Sequence, residues 1–232
     1  MGVCPWKFES SSGHQGTEYK RGLLMKIQLY KYDLPDNLIF SESVAIDTEA
    51  MGLKNHRDRL CLVQISSGDE ECHLVQFERS NFERAVNLKK LLQNKNITKI
   101  FHFARFDVAI MMHSFGIKIE NIYCTKIASR LVRTFTDRHS LKDLCKELLG
   151  IEISKQEGTS DWGASDLTKD QLRYAATDVL HLHKLKNKLD DMLERESRVE
   201  LAKACFDFLP YRAQMDLLGG ETFDVFPHRI AE

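Results

Sequence analysis

The stretch Ser43-Val44-Ala45-Ile46-Asp47-Thr48-Glu49 runs from apolar residues into acidic ones. The apolar part predicts a buried strand, and the acids at its end predict a site there. Because side chains alternate along a strand, Asp47 and Glu49 project from the same face. Two such carboxylates repel each other at the edge of a core, and they usually require a cation. Their oxygen ligands favour Mg²⁺ or Mn²⁺ over zinc.

Strand-like segments surround this run. Leu60–Ser66 and Cys72–Phe77 flank Ser67–Glu71, a turn rich in Gly and Asp that predicts a hairpin. Thr98–Phe103 is a further apolar run, and Met25–Tyr30 alternates apolar with polar residues. Strands that come first and then alternate with helices predict an α/β fold, in which helices cover the faces of a mixed β-sheet.

Four segments carry helical spacing or helix-end signals. Gly116 and Gly150 each follow such a segment and mark its end, and Thr168 with Gln171 predicts a capping box. The predicted helices are Asn81–Gln93, one that follows Phe103 and ends near Phe115, one opened by Ser140, and a long one from Thr168 to about Ser197. A single domain over residues 25–232 accommodates all of these segments.

The composition is that of an ordinary globular protein, with 43% apolar and 29% charged residues. The 33 Lys and Arg residues balance 34 Asp and Glu residues, for a net charge of −1. This balance argues against binding nucleic acid mainly through bulk charge, but it allows local cations to hold a few phosphates. No apolar run reaches the length of a membrane span and no signal peptide is visible. We therefore expect no membrane association and a cytoplasmic location.

The six cysteines are spaced widely and irregularly, which predicts neither a zinc site nor a disulfide framework. We expect them to be reduced and mostly buried. Residues 1–24 are polar and unpatterned, so we expect a disordered or added extension there, with Met25 as a candidate natural start. The cysteines are Cys4, Cys61, Cys72, Cys124, Cys145 and Cys205.

Three later residues extend the acidic pair. Asp107 falls in the first turn of the helix after Thr98–Phe103, where an acid also complements the helix dipole. Tyr174 and Asp178 are four apart and share one face of the long helix. Tyr174 is also compatible with a core aromatic whose hydroxyl is hydrogen-bonded. Each residue alone has such a structural explanation, and only the ordered set indicates chemistry.

The ordered set resembles the three exonuclease motifs of the DEDD superfamily. These motifs are Asp-x-Glu at a strand end, an Asp opening a later helix, and Tyr-x-x-x-Asp on the last long helix. The tyrosine four residues before the last aspartate is typical of the DEDDy branch. The sister branch has a histidine five residues before it, where this chain has Arg173. The segments that resemble ribonuclease D are Val44–Glu49 with Leu62–Ile65, Lys99–Asp107, Thr125–Leu131, Ser160–Trp162 and Gln171–Val179.

The resemblance spans about residues 40–190. It implies a ribonuclease H-like fold and a 3′→5′ exonuclease that releases nucleoside 5′-monophosphates, in RNA (tRNA) 3′-end processing or turnover. It also implies two divalent metal ions, Mg²⁺ or Mn²⁺. On this resemblance, Asp47 would bridge both ions, Glu49 and Asp178 would complete the shell of the first, and Asp107 would hold the second through water. Tyr174 would orient the attacking water, since a phenol is a poor base at neutral pH.

Substrate contacts are predicted at two places. His102, Phe103 and Phe106 surround the second motif, where an aromatic ring can stack on a terminal base or belong to the core. Arg130 and Arg138 are candidate phosphate contacts within the most basic stretch of the chain, for which a solvated surface is the alternative. The basic stretch comprises Lys126, Arg130, Arg133, Arg138, His139 and Lys142.

The expected partner is RNA with a free 3′ end. Single-stranded DNA is the alternative, because contacts to a 2′-hydroxyl need only one or two groups. A nucleic-acid-binding module on a nuclease scaffold is the alternative of another class, and the presence of all four acids and the tyrosine argues against it. Longer ribonuclease D proteins carry C-terminal helical RNA-binding domains. Only about forty residues follow the long helix here, so we expect those domains to be absent. No obligate protein partner is indicated.

Overall fold

The computed structural model describes residues 26–153, 160–219 and 225. The expectations for residues 1–24 and for Met25 fall outside these described residues. Within them the chain folds as a β-sheet covered by helices, as the sequence predicts. The strands are β1 (Lys26–Lys31), β2 (Ser43–Ala50), β3 (Leu60–Ser66), β4 (Glu71–Gln76), β5 (Thr98–Phe101) and β6 (Ile122–Cys124).

The six strands form one mixed sheet in the order β1-β4-β3-β2-β5-β6. β3 runs antiparallel to both of its neighbours, and the other three strand pairs are parallel. The predicted hairpin between β3 and β4 is therefore confirmed. β2 carries the acidic pair and lies near the middle of the sheet, where Val44, Ala45 and Ile46 are fully buried.

Helices cover the sheet. α5 packs against β1 to β4, α6 against β2 and β5, and α2 against β3, β5 and β6. β6, α3 and α7 are elements that the sequence patterns do not predict. None of the helices in the described part of the chain is long and apolar enough to cross a membrane. The helices are α1 (Val86–Gln93), α2 (Ala104–Phe115), α3 (Thr125–Val132), α4 (Leu141–Leu144, continued by a π-helical turn over Cys145–Leu149), α5 (Lys169–Leu180), α6 (Leu182–Arg195) and α7 (Val199–Gly219).

The predicted helix ends at glycine and threonine are confirmed. Gly116 and Gly150 follow their helices with φ values of 65° and 68°, a left-handed conformation that glycine adopts without steric cost. The Thr168 hydroxyl accepts a hydrogen bond from the backbone nitrogen of Gln171, and the Gln171 side-chain oxygen accepts one from the backbone nitrogen of Thr168. The cysteines from Cys61 to Cys145 are free and buried, as their spacing predicts.

The helix predicted over Asn81–Gln93 is wrong at its start. The segment forms a 3₁₀ turn over Phe82–Arg84, and α1 begins only at Val86. The cause is a tertiary cap, since the Asp33 carboxylate accepts hydrogen bonds from the amide nitrogens of Asn87 and Leu88 at 2.8 and 2.9 Å. Asp33 lies more than fifty residues earlier in the chain, so local spacing does not reveal this cap.

The single long helix predicted from Thr168 to about Ser197 is also wrong, because it breaks at His181 into α5 and α6. His181 has φ −100° and ψ −7°. The two helices share β2, but α5 extends over β1, β3 and β4 whereas α6 extends over β5. Because the sheet is twisted, one straight helix cannot follow both regions. The break lets both apolar stripes follow the sheet.

An ion pair fastens α7 to α2. The Arg105 guanidinium donates two hydrogen bonds of 2.6 Å to the Asp216 carboxylate, and Arg212 approaches the same carboxylate at 3.1 Å. Asp216 is buried, so its charge depends on these two arginines for compensation.

We expect Asp216→Ala to destabilise the protein by about 3 kcal/mol, because it leaves two partly buried guanidinium groups without their shared anion. The melting temperature and hydrogen exchange in α7 measure this effect. Asp207→Ala, an exposed aspartate on the same helix, is the control and should change the melting temperature little. Equal melting temperatures for the two variants would contradict this role of Asp216.

Candidate active site

Three carboxylates meet at the end of β2. The antiparallel register places Asp47 opposite Gln64 and Glu49 opposite Leu62, and an irregularity after Glu49 ends the regular pairing. α5 packs against β2 and β3 and presents Asp178 to the two strand acids. Oxygen atoms of Asp47, Glu49 and Asp178 all lie within 4.8 Å of one another, and each residue is half-buried. The structure thus brings together residues that are 131 positions apart in the sequence.

Asp107 lies beside this cluster but not within it. It is buried in the first turn of α2, and the Thr48 hydroxyl donates a 2.6 Å hydrogen bond to one of its carboxylate oxygens. Thr48 stands between Asp47 and Glu49 on β2, so strand alternation turns it toward α2 rather than α5. Asp107 therefore lies next to the other acids, but it is carried by α2 and held by Thr48, whereas Asp178 is carried by α5.

Burial and mutual repulsion both perturb the four acids. Burial, followed by the charges of Asp107, Asp178 and Glu49, raises the pKa of Asp47 well above its usual range. Burial, with the charges of Asp178 and Asp107, raises the pKa of Glu49 to about 9. Burial is also the main reason that the pKa values of Asp107 and Asp178 rise to about 7. Four anions in this space are unfavourable without a cation, and an all-carboxylate donor set fits Mg²⁺ or Mn²⁺.

Tyr174 lies one helical turn before Asp178 on α5, and its hydrogen bond to Asp178 lowers the pKa of that carboxyl group. Burial, with the negative charges nearby, raises the pKa of the Tyr174 hydroxyl above its ordinary value of 10. The hydroxyl is therefore a hydrogen-bond donor at neutral pH rather than a base. Its ring contacts the buried Trp162, with ring centroids 6.2 Å apart, which limits where the hydroxyl can point.

The three residues around the second motif have different surroundings. Burial lowers the pKa of His102 to about 3, so its ring is neutral, and its Nδ1 lies 2.9 Å from the Thr125 hydroxyl. Phe106 is half-buried and packs against the core. Phe103 is 46% exposed and has a left-handed backbone with φ 68°, a rare conformation for a bulky residue. The Lys126 ammonium lies 4.3 Å from the Phe103 ring centroid. Phe103 is thus the accessible aromatic of the three.

The basic stretch divides into structural and exposed residues. Arg133 is buried and donates to the Arg138 carbonyl, the Ser129 hydroxyl and Glu147. His139 is also buried, with its Nδ1 2.8 Å from the Ser129 hydroxyl. The polar groups of these two residues are therefore used within the fold.

Arg130 and Arg138 remain exposed, as does Lys142. The Arg138 guanidinium lies 3.8 Å from the Glu147 carboxylate, which offsets part of its charge, whereas Arg130 projects from the last turn of α3. Arg130 is therefore the better placed of the two candidate phosphate contacts.

Sequence reasoning missed two residues that shape the site, Thr48 and Trp162. The signal for Thr48 lies in the Asp-Thr-Glu triplet itself, since alternation sends its hydroxyl to the opposite face from the acids. The signal for Trp162 is weaker. Ser160–Trp162 resembles a segment of ribonuclease D, but the contact of Trp162 with Tyr174 depends on how the chain before α5 folds back.

Comparison with known proteins agrees with this geometry. The sequence profile of the 3′-5′ exonuclease family matches residues 28–194. Ribonuclease D from Gluconacetobacter diazotrophicus is 35% identical over 157 residues, and DNA polymerase I from Aquifex aeolicus is 39% identical over 148 residues. These matches cover 68% and 64% of this chain, but only 39% and 24% of the two relatives. The chain thus spans less than half the length of the curated relatives it matches.

A solved structure of similar length gives a fuller match. Brucella melitensis NrnC is 52% identical and superposes with a TM-score of 0.83, covering 87% of this chain and 98% of its own. NrnC has also been solved bound to pGG and with bound Mg²⁺. The mixed sheet with flanking helices therefore matches the predicted ribonuclease H-like fold. Since the family profile covers most of the chain, including all four acids and Tyr174, the chain belongs to the 3′-5′ exonuclease family.

Proposed function

We propose that this chain is a metal-dependent 3′→5′ exoribonuclease that releases nucleoside 5′-monophosphates, in RNA (tRNA) 3′-end processing or turnover. The observation that carries the proposal is the meeting of Asp47, Glu49 and Asp178, with oxygen atoms within 4.8 Å and Tyr174 one turn away. Membership of the exonuclease family and the ribonuclease D relatives support the reaction and the substrate class.

The acids are assigned as ligands for two divalent ions, Mg²⁺ or Mn²⁺. Asp47, Glu49 and Asp178 would hold the first, which agrees with their close approach. Asp47 and Asp107 would help to hold the second, which agrees with the position of Asp107 beside the cluster. Bound divalent ions supply the positive charge that activates a water molecule and neutralises the phosphate and the leaving oxygen.

The chain's own residues then orient the reacting groups. Tyr174 directs its hydroxyl toward the water that attacks phosphorus, in the DEDDy manner, while Trp162 limits the movement of its ring. Thr48 holds the Asp107 carboxylate in one orientation through its 2.6 Å hydrogen bond. Fixing these groups before the substrate arrives lowers the entropic cost of reaching the transition state.

The exposed Phe103 ring provides a stacking surface for a terminal base, and Lys126 beside it provides a cation for the backbone. Arg130, and to a lesser degree Arg138, extend the basic surface for phosphates. His102, whose ring is neutral, and Phe106, which packs against the core, are both partly buried and lie close to Phe103 in the chain. The structure of NrnC bound to pGG supports a nucleotide ligand for this chain.

A 3′→5′ DNA exonuclease is the second candidate. The observation that favours it is the 39% identity to a segment of a DNA polymerase I. The chemistry of the four acids is the same for both substrates, and only the recognition of the 2′-hydroxyl distinguishes them.

We expect degradation of 5′-labelled RNA from its 3′ end in Mg²⁺ or Mn²⁺, with loss of activity in EDTA because every proposed ligand is an oxygen donor. A 3′-phosphate should block the reaction. A DNA strand of matched sequence, analysed on the same gel, tests the second candidate. Undiminished activity in EDTA or on circular RNA would refute the proposal, and faster DNA cleavage would favour the DNA enzyme.

The variant Asp47→Asn should lose activity by orders of magnitude, while its metal-free form melts at the same or a higher temperature than the native chain. The reason is that it removes one charge from a repelling cluster. Mg²⁺ should raise the melting temperature of the native chain and leave that of the variant nearly unchanged. Asp191→Asn, at an exposed position on α6, is the control. A large loss of metal-free stability in Asp47→Asn would count against the cluster.

Tyr174→Phe removes only the hydroxyl and keeps the ring against Trp162. If the hydroxyl orients the attacking water, kcat should fall about 100-fold or more, which corresponds to about 2.7 kcal/mol in the transition state. Metal affinity and melting temperature should change little. Tyr30→Phe, which deletes a hydroxyl bonded to Gln28 on β1, is the matched control and should keep full turnover. Unchanged kcat in Tyr174→Phe would remove this residue from the site.

A further inference from the structure

A buried glutamine lies beside the acids with its amide unused. Gln64 on β3 has no exposed surface, and neither its Nε2 nor its Oε1 has a hydrogen-bond partner among residues 26–153, 160–219 and 225. An unpaired amide in a core is unfavourable, and natural folds rarely tolerate one without a reason.

The register shows what this amide faces. Gln64 is directly opposite Asp47 in the antiparallel pair, so both side chains project from the same face of the sheet. On its other side, the partner on β4 is the apolar Leu74. Of the buried α5 residues, Ala175, Ala176 and Val179 carry no side-chain polar atoms, and the side-chain amide of Gln171 is already bonded to the Thr168 nitrogen and the Asp161 carbonyl. Asp47 is therefore the polar side chain that Gln64 meets across its strand pair.

A second buried glutamine makes a useful comparison. Gln76 on β4 is also nearly fully buried, but its Nε2 donates a 2.9 Å hydrogen bond to the Ala164 carbonyl. The Gln76 Nε2 donor thus has a backbone partner, whereas the Gln64 Nε2 donor has none among the described residues. The difference between them is that Gln64 adjoins the acidic cluster.

We propose that Gln64 is a positioning residue that donates a hydrogen bond from Nε2 to the Asp47 carboxylate when Asp47 ligates a divalent ion, an inference that rests on the proposed function. A carboxylate that gives one oxygen to a cation keeps lone pairs for a donor, and hydrogen bonds of this kind fix the orientation of metal ligands. The bond would orient Asp47 and satisfy the Gln64 donor in the same step.

The test is calorimetric titration of Mn²⁺ into the full chain, without substrate, for the native protein, Gln64→Met and Gln76→Met. Methionine keeps the length of the side chain and removes the amide. We expect Gln64→Met to bind Mn²⁺ about 10-fold more weakly, with a metal-free melting temperature equal to or above the native value. Gln76→Met should show the reverse, with native Mn²⁺ affinity and a lower melting temperature.

A measurement on the native chain covers the case in which Gln64→Met fails to fold. The side-chain amide protons of Gln64, followed by ¹⁵N-resolved NMR, should move downfield as Mg²⁺ is added, while those of Gln76 stay in place. Native Mn²⁺ affinity in a folded Gln64→Met, or an unmoved Gln64 amide at saturating Mg²⁺, would overturn the inference. Absence of metal binding by the native chain would instead refute the proposed function itself.

Discussion

Repulsion among buried carboxylates is the constraint on which the site depends. Oxygen atoms of Asp47, Glu49 and Asp178 lie within 4.8 Å of one another, and Asp107 adds a fourth charge beside them. Such a cluster is costly in a folded chain, and the cost appears directly as raised pKa values. Divalent cations convert this repulsion into attraction, so the same arrangement that weakens the metal-free protein creates affinity for metal.

The scaffold withstands that repulsion because each acid is anchored independently. β2 holds two of them through its pairing with β3, and the start of the same strand, Ser43 to Ala45, also pairs with β5. Asp178 is carried by a helix with a complete capping box, and Asp107 by a helix that an ion pair fastens to α7. The rigid frame also explains how a strained residue such as Phe103 keeps its left-handed backbone, since strain persists only where the surroundings determine it.

The polar residues between these anchors have separate tasks. Thr48 restrains Asp107, Trp162 restrains the Tyr174 ring, and Gln64 lies opposite Asp47 with its amide unpaired. They share one property, which is burial at the edge of the acidic cluster. The acids are therefore surrounded by groups that limit their freedom, and we expect the proposed chemistry to depend on these groups nearly as much as on the acids.

The sequence by itself determined what strand and helix periodicity control. Alternation placed Asp47 and Glu49 on one face, the helical repeat placed Tyr174 beside Asp178, and glycines marked the ends of two helices. Tertiary structure decided everything that depends on contacts between distant segments. It brought α5 onto β2, capped α1 through Asp33, and buried Arg133 within the basic stretch. Local sequence patterns show which face of a strand or helix a side chain occupies. The residue that it contacts there comes from a distant part of the chain, so the contact is known only from the tertiary structure.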